Sequence, residues 1–363
     1  MMSDKIIRTV LGDIAPEELG YTSMHDHTIG SLEMAGAYMQ EMFSDRDPAT
    51  LAFVPENYVN IKDGSYLANP EMWTMGSVDD MVREYGFFKA LGGQSVQDPS
   101  PVGSRGNIRD IQEVSRRTGL NIISVTGFYH ETTIPPEHMD LGEEHFYAFM
   151  KDEIENGIDG TEIKPGAIKC AVSYLLENEL DAVHAGMRLA AETGMCLNIH
   201  TEPTTPADDL LDELEASVEK YGVNRERVIV CHMDNRIAGT VPPADYFEDE
   251  GLDRTLDLTL QRDLLSRGYN IGLDTWCLPV QNPGFFMPDL FERTKALCLL
   301  CADGYAGQIT LGNDFSGKIC MRKYGEWGPT AAFAFGCQRL IELGHDDWVR
   351  TLTVETPKRL LAF

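Results

Sequence analysis

The sequence predicts an α/β protein built as one (β/α)8 barrel of the TIM type, and three observations carry that prediction. From about residue 90 onward, short β-rich apolar runs alternate with amphipathic stretches of helical period. The length of 363 residues and a hydrophobic fraction of 43% suit one large barrel core with extensions. Finally, His25, Lys169, His200, His232, Asp274 and Asp314 fall within or just beyond different strand candidates, mostly at their C-terminal ends. An open doubly wound sheet has the same alternation but would spread these residues along an edge. A closed barrel gathers them at one mouth.

In chain order, Ile6–Ile14 reads as a small hairpin closing the barrel floor. The strand candidates are Tyr21–His25, Gln94–Asp98, Asn121–Gly127, Ala167–Ser173, Met195–His200, Arg227–His232, Tyr269–Asp274 and Gln308–Asn313. Helical segments are expected at Ile108–Thr118, Glu179–Thr193, Pro206–Tyr221, Leu256–Arg267 and Asp289–Asp303, each with a glycine just past its end. Residues 31–90 break the rhythm and carry Met34, Met39, Met42, Trp73 and Met75. They are expected to be an insertion of short helices and loop over the mouth, as a packing extension or a lid. The whole chain, residues 1–363, is read as one domain with this insertion.

A net charge of -28 gives no basic footprint for nucleic acid or an anionic membrane surface. Mean hydropathy is -0.23, and no apolar run approaches the ~20 residues that cross a bilayer. The opening MMSDKIIRTVLGD has no apolar signal region, so a cytoplasmic location is expected. The 8 cysteines match no zinc-finger spacing, and most lie in apolar runs such as LCLLC, which suggests reduced, buried thiols. Cys298 and Cys301 form a C-x-x-C within such a helical run and read as core packing.

The chemistry starts at His25-Asp26-His27. Alternate residues of a strand point the same way, so His25 and His27 can face one metal ion. The pair alone is a weak signal. It gains weight from His200 ending LNIH, His232 ending VIVCH and Asp314 following TLGN. Imidazoles and a carboxylate around one mouth suit Zn²⁺, Mn²⁺, Co²⁺ or Fe²⁺. Lys169, in AIKCAVS, lies in an apolar strand run and should not face solvent. Its ammonium would repel a metal, whereas its neutral amine can add CO₂ and become an anionic carbamate able to bridge two cations.

With these pieces in place, the chain resembles the phosphotriesterase family of the amidohydrolase superfamily over essentially its whole length. The matching segments are GYTSMHDHTIG, NIISVTGFY, GAIKCAVS, LNIHTE, VIVCHMD, YNIGLD, ITLGNDFSGK and VETPKRLLAF. The resemblance implies a binuclear centre of two divalent ions, zinc first among the candidates. It places His25, His27 and Asp314 on the more buried metal and His200 and His232 on the more exposed one. Lys169 as N6-carboxylysine and a hydroxide would bridge the pair, Asp314 would accept the hydroxide's proton, and Asp274 would support the ligands from behind. A homodimer is the family's expected assembly.

One departure bears on the substrate. Organophosphate-degrading members carry a histidine directly after the seventh-strand aspartate, as part of a proton relay. Here Thr275 follows Asp274, and Asn235 stands where a second acid would follow Asp234. The expected reaction is therefore hydrolysis of a small lactone or carboxylic ester. A phosphotriester hydrolase on the same centre, and a barrel kept for ligand binding with structural metals, are the alternatives. Tyr129 is a candidate contact to the substrate oxygen, or else a buried aromatic cap. Trp276 is likewise a pocket wall or core. Lys318, Arg322 and Lys323, beside Tyr324 in the loop after Asp314, either recognise a substrate anion or pair with nearby acids. The same two readings apply to Arg105 and Arg109. His130, His138, His145, His184 and His345 are assigned surface or structural roles.

Overall fold

The computed structural model describes residues 5–32, 53–58, 70–237, 255–278 and 287–363. A hairpin pairs β1 (Ile7–Thr9) with β2 (Gly12–Ile14), placing Ile7 opposite Ile14. Eight parallel strands follow: β3 (Thr22–Ser23), β4 (Ser95–Asp98), β5 (Asn121–Gly127), β6 (Ala167–Val172), β7 (Leu197–Thr201), β8 (Val228–Val230), β9 (Asn270–Leu273) and β10 (Ile309–Leu311). Each pairs with its neighbours in chain order. The first and last meet where Met24 N–H donates to the Leu311 carbonyl (2.8 Å) and His27 N–H to the Phe315 carbonyl (3.0 Å). The expected barrel is present.

Between the strands run α1 (Val78–Ala90), α2 (Ile108–Thr118), α3 (Glu143–Asn156), α4 (Glu177–Thr193), α5 (Ala207–Tyr221), α6 (Thr259–Ser266) and α7 (Leu290–Ala302). Asn107 caps the start of α2, its side chain accepting from Arg109 N–H, and Gly119 ends it in a left-handed conformation. Helix α7 opens on a capping box in which Asp289 accepts from Phe291 and Glu292 N–H and Glu292 answers on Asp289 N–H. Helices α1 and α3 were not anticipated. Helix α1 lies inside the stretch expected to hold only short helices and loop, so 13 residues of it form a regular crossover helix. Met34, Met39 and Met42 lie outside the described residues.

Strand alternation divides the core in two. Ile122, Ile168, Cys170, Leu197, Ile199, Val228, Val230, Ile271 and Leu273 belong to the layer between strands and helices. Their neighbours Ile123, Val125, Ala167, Cys196, Ile229 and Cys231 form the barrel interior with Ile7, Leu19 and the C-terminal Leu360–Ala362. The hairpin and the chain end thus plug the floor, tied by paired hydrogen bonds between Ile6 and Phe363 (3.2 Å each). All 8 cysteines are free, and only Cys298 is partly exposed. No helix among the described residues is long and apolar enough to cross a membrane.

Candidate metal centre

The same alternation aims the polar side chains. Lys169 shares the inward parity of Ala167, His200 that of Asn198, and Asp274 that of Asn270 and Gly272. Two further site candidates lie just beyond their strands with unusual backbone: His232 (φ 63°) and Asp314 (φ 49°) are both left-handed without being glycine. Such conformations concentrate at functional sites, where the surroundings hold them in place. Two glycines make room. A Cβ on Gly272 would meet Asp274 Oδ2 at 2.2 Å, and one on Gly312 would meet His25 Cβ at 2.6 Å.

Each histidine has at least one ring nitrogen close to a group other than the four imidazoles. His27 Nδ1 lies 2.7 Å from Ser100 Oγ, and that hydroxyl donates to Asp98 Oδ1 at 2.6 Å. The imidazole therefore donates to the serine, and its Nε2 lies 3.3 Å from Asp314 Oδ1. His232 Nδ1 lies 2.8 Å from Asp274 Oδ1, and His25 Nδ1 lies 3.0 Å from Asp274 Oδ2. His25 Nε2 is 3.7 Å from Asp314 Oδ1. On the far side, His200 Nε2 meets Glu202 Oε1 at 3.0 Å while its Nδ1 lies 3.1 Å from the Tyr129 hydroxyl. The rings of His25 and His232 are 4.8 Å apart, and those of His232 and His200 are 4.6 Å apart. Asp26 turns the other way, its carboxylate accepting from Ser23, Asn313 and Phe315.

Burial lowers the pKa of His25 to about 4, against the opposing pull of Asp274. Burial likewise lowers His200 to about 3. Both imidazoles are neutral at physiological pH and have a lone pair to give. For Asp314, burial alone would raise the pKa. The hydrogen bond from His27 and the fields of His232 and His25 outweigh it and hold the carboxyl well below its usual range. Asp274 is held down in the same way, by His232 and then His25.

Two features fit this donor set to cations. His25 Nδ1, though close to Asp274, is buried without an aligned hydrogen bond. Lys169 Nζ is buried beside Cys231 Sγ (3.7 Å), and among the described residues no carboxylate forms an ion pair with it. An unpaired ammonium at such a place carries a penalty of several kcal/mol. The ligand atoms of His25, His27 and Asp314 all lie within 4.8 Å of one another, as do those of His25, His232 and Asp274. Asp274 Oδ1 already lies against His232 Nδ1, and its Oδ2 is 3.0 Å from His25 Nδ1.

Tyr129 is half-buried against His200, and burial raises the pKa of its hydroxyl well above the ordinary value. Trp276 is buried, its indole N–H donating to the Leu273 carbonyl at 3.0 Å and its ring packed against Gly336. The basic loop residues have acidic neighbours. Lys318 pairs with Glu71 (3.7 Å) and Lys323 with Asp80 (3.4 Å), while the Arg322 guanidinium lies over the Phe87 ring and its backbone N–H donates to Glu84 (3.0 Å). Arg105 and Arg109 pair with Glu153 and Glu162, each at 2.6 Å. Among the other histidines, His138 bonds His145 (2.8 Å), His184 bonds Glu213 (3.0 Å), His130 bonds Thr132 (2.7 Å) and His345 stacks on Trp348.

Sequence reasoning missed Ser100, Asp98 and Glu202. Glu202 stands two residues beyond a candidate ligand, a spacing that could have flagged it. Ser100 had no comparable signal, because it is 73 residues from His27 and reaches it only across the β3–β4 pairing.

A profile of the phosphotriesterase family matches residues 5–241. The chain belongs to the phosphotriesterase family. Its match extends along the whole length of an N-acetyltaurine hydrolase of Xenopus tropicalis, 25% identical over 361 residues and covering 98% of each chain. Among solved structures, a resiniferatoxin-binding protein from Rhodobacter sphaeroides superposes with a TM-score of 0.82 at 22% identity, covering 98% of this chain and 94% of that one. A lactonase from Listeria monocytogenes gives 0.72 at 21% identity, covering 98% of each. These structures share the barrel of this phosphotriesterase-family hydrolase.

Proposed function

We propose that the chain is a binuclear metal-dependent hydrolase of a small lactone or carboxylic ester. The observation that carries this reading is the ring of four histidines, each with a ring nitrogen beside an orienting group, around Asp314 and a buried lysine that has no carboxylate partner among the described residues. His25, His27 and Asp314 would hold one ion, His200 and His232 the other, with carboxylated Lys169 between them. Zinc leads the candidates, with manganese, cobalt and iron behind it. When bound, two such ions polarise a carbonyl oxygen and make water acidic enough to react at neutral pH. Asp314 takes up the proton released and returns it to the leaving group, a contribution of about 10²–10⁴-fold in rate. Tyr129, beside His200, orients the substrate oxygen.

Thr275, in place of a relay histidine, and the enclosed surroundings of Asn235 favour a carbonyl substrate over a phosphotriester. A second reading, hydrolysis of an N-acyl amide, is favoured by full-length relatives named N-acetyltaurine hydrolase. Purified protein should carry about two metal ions per chain. It should turn over lactones or carboxylic esters fastest in a panel that includes N-acyl amides and phosphotriesters. Full activity in metal-free protein would overturn the proposal, and turnover confined to amides would replace the substrate class. Asp314→Asn should abolish turnover; a barrel kept only for binding would show no turnover to lose.

A further inference from the structure

Where the relay of other family members would run, this chain has a buried arginine. Arg293 rises from α7 with only 2% of its side chain exposed. Its Nη1 donates to Asp234 Oδ2 and to Thr275 Oγ1 (2.6 Å), Nη2 to Asn235 Oδ1 (3.0 Å), and Nε to the Pro288 carbonyl (3.1 Å). Asp234, itself fully buried, accepts from Asp274 N–H at 3.1 Å, Thr275 N–H at 3.0 Å and Thr275 Oγ1 at 2.9 Å. One guanidinium thus joins the turn after β8, which carries His232, to the end of β9, which carries Asp274.

We infer that Arg293 is a positioning residue: with Asp234 and Thr275 it sets where the Asp274 carboxylate sits, and through it the facing edges of His25 and His232. The argument is geometric. Asp274 reaches both imidazoles only if its backbone stays in register with His232, whose N–H and Nδ1 share Asp274 Oδ1. Strand β8 ends at Val230 and β9 at Leu273, so the ladder no longer fixes the two chains there. The Asp234 carboxylate takes over, bonding the backbone N–H of both Asp274 and Thr275, and Arg293 holds that carboxylate still. Thr275 is more than the absence of a histidine, since its hydroxyl closes the network. A planar fork with several fixed donors can do this, whereas a lysine offers one point charge.

The inference rests on the proposed metal centre, and the test separates the two. Zinc affinity is measured by competition with a chromophoric chelator, alongside thermal unfolding of the metal-free protein. Wild type that binds no zinc overturns the metal centre itself. If wild type binds two, Arg293→Lys should bind about tenfold more weakly, the lower end of what outer-shell changes cost. Arg293→Met alone strands a buried carboxylate and can fail to fold. The double variant Arg293→Met/Asp234→Asn removes both charges, so its unfolding temperature should return toward wild type. Its zinc affinity should stay at least about tenfold down, because Asp274 N–H and Thr275 have lost the ionised carboxylate that held them. If zinc affinity recovers together with stability in the double variant, or if Arg293→Lys binds zinc within about twofold of wild type, Arg293 only balances charge and the inference falls.

Discussion

Asp274 holds His232 twice through one oxygen, Oδ1 taking the histidine's backbone N–H at 2.9 Å and its Nδ1 at 2.8 Å. The left-handed backbone at His232 (φ 63°) turns both donors toward the same point. With Nδ1 committed, Nε2 is the nitrogen left to face the centre. Asp274→Asn replaces two acceptor oxygens by one and weakens the hold on both His232 and His25. Metal affinity should fall about 10–100-fold with the fold intact, as read by chelator competition and circular dichroism. An affinity equal to that of wild type would remove Asp274 from the orienting role.

Lys169 is enclosed by the barrel, and its charge acts on His25, His200 and His232. Lys169→Ala should lose metal and turnover together, each by more than about tenfold. Added formate or acetate should restore part of both by supplying the missing carboxylate. Metal analysis and steady-state rates with and without the added acid are the measurements. Retention of both metals in the unsupplemented variant would deny the lysine its bridging place.

Arg105 offers a contrast, since its guanidinium is as buried as Arg293's but lies far from any histidine of the cluster in its bonding. It joins the Val125 carbonyl (2.9 Å) to Glu153 (2.6 Å) on α3. Arg105→Met strands that carboxylate, and breaking such a buried pair costs about 3–5 kcal/mol. Urea unfolding should register the loss while KM stays unchanged. A raised KM at unchanged stability would instead mark Arg105 as a substrate contact.

Gly312 sits where the barrel closes. A methyl group there would lie 2.6 Å from His25 Cβ and 2.8 Å from its backbone nitrogen and oxygen, so β10 must move away from β3. Gly312→Ala should destabilise the protein by about 1–3 kcal/mol and loosen the metal ion that His25 and Asp314 would share. Thermal unfolding and metal content measure the two effects. A variant unchanged in both would mean that the seam is compliant.

Much of the fold was legible because barrel strands repeat a short signal. Asn121–Gly127 was read to the residue, and Ala167–Val172 to within one, since both are short β-rich runs with few polar residues, ended by glycine or serine. Strand ends further on were shorter than expected. At β8 and β9 the backbone leaves the ladder early so that His232 and Asp274 can turn into the mouth. Helices α1 and α3 were missed because an acidic residue interrupts the apolar face of each, Glu84 in one and Glu153 in the other. Glu153 is nevertheless buried, and its compensating Arg105 lies 48 residues away.

The His25-Asp26-His27 triplet and the inward parity of Lys169 were determined by local sequence alone, because strand alternation is a two-residue rule. The same rule gives His200 and Asp274 the inward side, but not His232, which follows the inward Cys231 and turns in only through its left-handed backbone. It could not say which nitrogen of each imidazole faces the centre, nor that Ser100, Glu202 and Asp274 decide it. Ser100 and Asp274 come from other strands or loops and meet the histidines only once the barrel has closed, whereas Glu202 follows His200 by two residues. Arg293 is the extreme case. In the sequence it is one charged residue in an amphipathic helix, and only tertiary packing brings its guanidinium, 59 residues away in the chain, onto Asp234 beneath the site.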